Sequence, residues 1–149
     1  MKIKKSGIFA LIFVTILIFI WGNSSKSFES SQQISGFITQ RINALLEPLI
    51  GQSISDSISR KLAHVTEYAV LGGVMISFST ARKRRNLQSI FNCLFVGLSV
   101  AVLDETIQIF SNRGSSVLDV LLDFSGVCMG VVLANLVGSK SNAGKSGEL

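Results

Sequence analysis

The stretch AVLDETIQIFSNRGSSVLDVLLDFSG, residues 101–126, decides how this chain is read. Two apolar helical runs flank the turn SNRGSS, yet they hold four carboxylates: Asp104, Glu105, Asp119 and Asp123. The rest of the 149-residue chain makes that placement unusual, because it is 48% hydrophobic and only 15% charged, with a mean hydropathy of +0.51. A soluble domain carries about a quarter charged residues. The two runs therefore read as membrane spans, about 88–110 and 117–137.

Working outward gives two more spans. Residues 6–22, SGIFALIFVTILIFIWG, are about the minimum length for a crossing. Lys2, Lys4 and Lys5 precede this run and Trp21 sits near its end, where an interfacial anchor belongs. A cleaved signal peptide is the rival reading, but the run is long for one and no A-x-A-like site follows. The segment RKLAHVTEYAVLGGVMISFST, residues 60–80, is the next span, and ARKRR closes it. Between these two, residues 23–33 are polar and Ser-rich. Ile34, Phe37, Ile38, Ile42, Leu45, Leu46 and Leu49 then recur at helical spacing, with Pro48 and Gly51 marking the end. That amphipathic helix is too polar to cross; it either lies in the interface plane or caps the bundle.

The expected architecture is all-α: a multi-pass membrane bundle of four transmembrane helices plus an extracytoplasmic amphipathic helix. Its divisions are a first transmembrane helix in 1–22, an extracytoplasmic linker with the amphipathic helix in 23–57, a three-helix core in 58–137, and a disordered cytoplasmic tail in 138–149. Dense basic clusters at the N-terminus and at Arg82, Lys83, Arg84 and Arg85, with Lys140 and Lys145, all fall on one side. The positive-inside rule makes that side cytoplasmic and puts both termini there, in the cell membrane. Such clusters beside apolar runs are a topology signal, so the net charge of +5 does not argue for nucleic acid. Cys93 and Cys128 lie inside apolar runs without metal-site spacing and read as small buried hydrophobes.

This topology brings Glu67, Asp104, Glu105, Asp119, Asp123 and the single histidine, His64, to one level near the outer leaflet. Arg60, His64, Glu67 and Leu71 share one helical stripe; Lys61, His64 and Tyr68 share its neighbour. A charge facing lipid at mid-helix costs about 2–3 kcal/mol on insertion scales. The acids must then face the bundle interior, pair with Arg60, Lys61 or Arg113, be protonated, or be balanced by a divalent cation. Asp119, three residues after Ser116, also fits a helix cap. Glu67 also fits an intrahelical pair with Arg60 or Lys61, Tyr68 an interfacial aromatic, Gln108 a bridge between helices, and Arg113 a solvated turn. Along the last span, Gly126 and Gly130 follow Asp119 and Asp123 on one line and would let another helix approach closely.

Three blocks carry a family resemblance: RKLAHVTEYAVLGG from residue 60, DETIQ from residue 104, and an arginine-bearing turn followed by DVLLDFSG. They resemble the VanZ-like family over about residues 58–137, through Arg60, Lys61, His64, Glu67, Tyr68, Leu71, Gly72, Asp104, Glu105, Gln108, Arg113, Asp119, Asp123 and Gly126. Many members carry asparagine at the position of Asp123. The family is named for a protein giving low-level resistance to teicoplanin, a lipid-tailed glycopeptide, so the resemblance implies a role at the cell envelope.

Three functions follow as expectations. In the first, an outer polar pocket rimmed by Arg60, Lys61 and Arg113 binds an anionic or amphiphilic envelope molecule, such as a lipid-linked cell-wall precursor or a lipoglycopeptide. In the second, an intramembrane metal-dependent enzyme acts on a lipid-linked phosphate or glycan: Asp104, Glu105 and Asp123 hold Mg2+ or Mn2+, and His64 with Glu67 serve as acid and base. No nucleophile motif supports catalysis, so a binding role is preferred. In the third, the carboxyls relay protons in a transporter, against which four spans without an internal repeat weigh. Membrane lipids are the expected partners. Oligomeric state is not fixed by the sequence, and apart from that divalent cation no cofactor is indicated.

Overall fold

In a computed structural model, which describes residues 5–81, 86–111 and 113–145, the chain forms five helices and, among the described residues, no strand. They are α1 (Lys5–Ser24), α2 (Phe28–Ile50), α3 (Asp56–Ala81), α4 (Leu87–Phe110) and α5 (Val117–Lys145). Four of them, over Gly7–Ser24, Asp56–Thr80, Leu87–Phe110 and Val117–Gly138, are long and apolar enough to cross a membrane. The all-α, multi-pass membrane bundle is as the hydropathy pattern requires. Lys2, Lys4 and residues 82–85, on which the expected orientation relies, lie outside the described residues.

Local chemistry sets the helix ends. Asn86 accepts the Ser89 backbone N–H at 2.9 Å and caps α4. Ser27 does the same for α2 through Ser30. Gly51 ends α2 in the left-handed conformation, φ 67°, and donates its N–H to Glu47. Pro48 is tolerated just before that end. Asn43 then pins the link to α3, donating to the Ile54 carbonyl at 2.9 Å and accepting its N–H at 2.8 Å.

Three boundaries differ from expectation. The polar linker shrinks to a short turn, because Ser27 caps a helix that begins at Phe28. Asp56 begins α3 ahead of the expected 60. The last helix continues through Gly138 to Lys145, into the stretch whose Gly/Ser/Lys composition suggests a disordered tail.

α2 packs on the bundle through small polar residues. Ser35 and Thr39 are buried toward the bundle, whereas Ile34, Phe37, Ile38, Leu45 and Leu49 are exposed. The apolar stripe is thus not buried against the bundle, as that of a capping helix would be.

The tightest seam joins α3 and α5. Lys61 meets Asp119, His64 meets Asp123, and the backbone of Val65 and Ala69 meets Gly126 and Gly130, so the two helices run parallel. A Cβ on Gly126 would strike the Val65 carbonyl, and one on Gly130 the Ala69 carbonyl. Gly72 is as close to the Val127 carbonyl in return. Lipid tails are as apolar as leucine, so helices in a membrane associate through packing of this kind rather than through hydrophobic burial. Around the seam, Tyr68, Leu71, Ile76, Val100, Ala101, Val127 and Val131 form the buried core, with Ile20 of α1 and Cys93 of α4 at its edge.

Candidate functional site

The ends of α1 and α4 and the starts of α3 and α5 meet at one end of the bundle. There the chain concentrates its polar side chains. Asp104 is completely buried, and Glu105, Gln108 and Asp123 are nearly so. His64 joins three helices: its Nδ1 lies 3.4 Å from Asp123 Oδ1 on α5 and 3.9 Å from Asp104 Oδ2 on α4. Gln108 reaches back along α4, donating from Nε2 to Glu105 at 2.8 Å and to Asp104 at 3.3 Å. The hydroxyls of Ser24 and Tyr68 adjoin Asp104.

Glu105 has a further role. Its Oε2 accepts the backbone N–H of Ser116 at 3.2 Å, while the carbonyl and Oγ of Ser116 receive the N–H groups of Leu118, Asp119 and Val120. In a capping box, the acid three residues on would take that Ser116 N–H. Here a neighbouring helix takes it, and Asp119 turns to Lys61 Nζ at 3.2 Å. Glu105 thereby ties the end of α4 to the start of α5.

A cavity of about 350 Å³ opens above this cluster. Its walls include Arg60, Lys61 and Arg113 on the cationic side and Glu105, Asp119 and Asp123 on the anionic side, with His64 and Gln108 between them. Arg113 is held in place by the Asn23 carbonyl, 3.2 Å from Nη1. Burial lowers its pKa from the ordinary arginine value, and the charge of Arg60 adds to that, against the pull of Asp104 and Glu105.

Not every residue of the polar level enters this cavity. Glu67 faces an adjoining crevice between α3 and the α1–α2 corner, where Asn23 donates to it at 3.4 Å; Arg60, His64 and Arg113 wall both spaces. Lys61 pairs with Asp119, not Glu67. Tyr68 lines neither space: it is fully buried, with Gly126 packed against its Cβ. The expected carboxylate triad of Asp104, Glu105 and Asp123 is also rearranged. It is His64 that shares a centre with Asp104 and Asp123, because Glu105 is drawn away by Ser116.

Asn23 and Ser24 belong to this site although the sequence reading places them only in a polar linker, and Ser116, expected only in a helix cap, enters the site as the group that Glu105 holds. The signal is NSS, residues 23–25, one residue beyond Trp21: polar side chains at the very level of the acids.

A family model described as VanZ/LLP1 matches residues 9–138. The match extends beyond the three-helix segment to α1 and α2. No curated protein and no solved structure matches the chain.

Proposed function

The chain belongs to the VanZ-like family, and we propose that its cavity binds the polar head group of an anionic envelope amphiphile on the outer face of the cell membrane. A lipid-linked cell-wall precursor or a lipoglycopeptide has the required chemistry. The observation that carries this reading is the lining of the cavity. Two arginines and a lysine stand in one space of about 350 Å³ with buried carboxylates below them. Guanidinium groups match phosphate with paired N–H donors, and the carboxylates accept from the hydroxyl or amino groups of a glycan. The exposed apolar stripe of α2 lies in the same outer leaflet, and both termini are cytoplasmic. No bond-making step is required. Engaging a precursor or the drug itself would lower susceptibility to teicoplanin-type lipoglycopeptides.

The test is a susceptibility panel in a host lacking this protein, at matched membrane levels of wild type, Arg113→Ala and Glu105→Gln. Wild type is expected to raise the inhibitory concentration of teicoplanin several-fold, with vancomycin little changed, and Arg113→Ala to remove most of that protection. Equal protection by Arg113→Ala sinks the cationic rim, and no protection by wild type sinks the teicoplanin reading.

A further inference from the structure

Beneath the cavity, His64, Asp104 and Asp123 each offer one ligating atom, and the three atoms lie within 4.8 Å of one another. They come from α3, α4 and α5, so only the assembled bundle forms the cluster. A second feature points to a missing positive partner. Asp123 is 1% exposed, and its Oδ2 has no hydrogen-bond partner among the described residues. Buried carboxylate oxygens are ordinarily satisfied by a donor, a water or an ion.

We propose that His64, Asp104 and Asp123 form a binding site for a divalent first-row cation, Zn2+ or Mn2+. Charge favours it: a neutral imidazole with two carboxylates carries two negative charges, which a divalent ion cancels and a single proton on His64 does not. The donor set favours it as well. One imidazole nitrogen with two carboxylate oxygens suits zinc or manganese, whereas Ca2+ and Mg2+ prefer all-oxygen shells. Metal–ligand bonds of about 2.1 Å place tetrahedral ligand atoms roughly 3.4 Å apart. His64 and Asp123 already stand at 3.4 Å, and His64 and Asp104 at 3.9 Å, a gap that a small side-chain rotation closes.

The surroundings are those of a supported site. Gln108 donates to Asp104 Oδ2, as an outer partner of a metal ligand does. His64 and Asp123 line the cavity, so an ion has a path in and keeps an open position facing the polar space above. The cation site does not depend on the envelope amphiphile and is tested without one.

Purified protein in detergent is stripped with EDTA and dialysed. ZnCl2, MnCl2 and MgCl2 are then titrated separately by calorimetry, with thermal unfolding followed in parallel. Zn2+ or Mn2+ is expected to bind at one ion per chain and raise Tm, with Mg2+ far weaker. Asp123→Asn and Asp104→Asn keep the side-chain shape and are expected to abolish the Tm rise. Gln108→Met, which leaves all three ligands in place but removes the outer donor to Asp104, is expected to weaken binding about 10–100-fold. The proposal is overturned if wild type shows no saturable uptake of either ion. It is equally overturned if both Asn variants, confirmed folded by gel filtration, bind as wild type does.

Discussion

The two ends of the α3–α5 seam are built on opposite principles. Toward the middle of the membrane, Gly72, Gly126 and Gly130 bring backbone against backbone, leaving no room for a Cβ. At the site end the same two helices carry Lys61, His64, Asp119 and Asp123, and the space between them opens into a cavity. The glycine end supplies the contact energy, and the polar end uses the fixed separation. Parallel helices clamped at one place have a set distance one or two turns away, which is how His64 and Asp123 come to face each other across the cleft.

Breaking the clamp should have the largest effect. Gly130→Leu places a side chain where the Ala69 carbonyl already stands. Overpacking a filled core costs about 1–3 kcal/mol when side chains can shift, and a backbone obstacle should exceed that. Membrane abundance and detergent Tm should fall sharply. Gly22→Ala, with nothing within 4 Å of the new methyl, should be neutral in the same assays. If both variants behave alike, the seam does not hold the bundle together.

A smaller effect is expected from the polar end. Gln108→Met removes the donor shared by Glu105 and Asp104 while keeping the side chain's length. Leaving buried acceptors unsatisfied costs about 1–3 kcal/mol. Thermal unfolding of the purified variant should show a loss below that of Gly130→Leu. A loss equal to or larger than that of Gly130→Leu would reverse the division between the two ends.

The smallest change should come from Lys61→Ala. Its partner Asp119 is part-exposed and Lys61 is mostly exposed, so the pair is screened and worth about 0–1 kcal/mol. Thermal stability should barely move, which would identify the Lys61–Asp119 pair as a feature of the cavity wall and not of the clamp. A drop comparable to that of Gln108→Met would show the pair to be structural.

Much of this was legible before any fold was known. Hydropathy marks the four crossings, because a helix in lipid must be apolar over about twenty residues. The common depth of His64, Asp104 and Asp123 follows from the same count, since each span begins or ends near one interface. The small residues at 126 and 130, four apart on one helical face, announce a close neighbour.

Other features were not readable from spacing. Residue Asp119 has the right position for a capping box, yet a carboxylate from another helix takes the Ser116 N–H. Residues 23–33 look like a linker by composition, but Ser27 caps a helix and Asn23 anchors Arg113. The stripe on α2 is plain in sequence, while the direction it faces depends on Ser35 and Thr39 packing inward.

By itself, then, the sequence determined the number of spans, the level of the acids and the faces they share, because lipid imposes a length and a polarity on each helix separately. Tertiary structure alone decided which acids meet. Residues Asp104 and Glu105 are adjacent on α4 and so point about 100° apart around the helix. One turns to His64 and Asp123 and the other to Ser116, according to where α3 and α5 happen to stand.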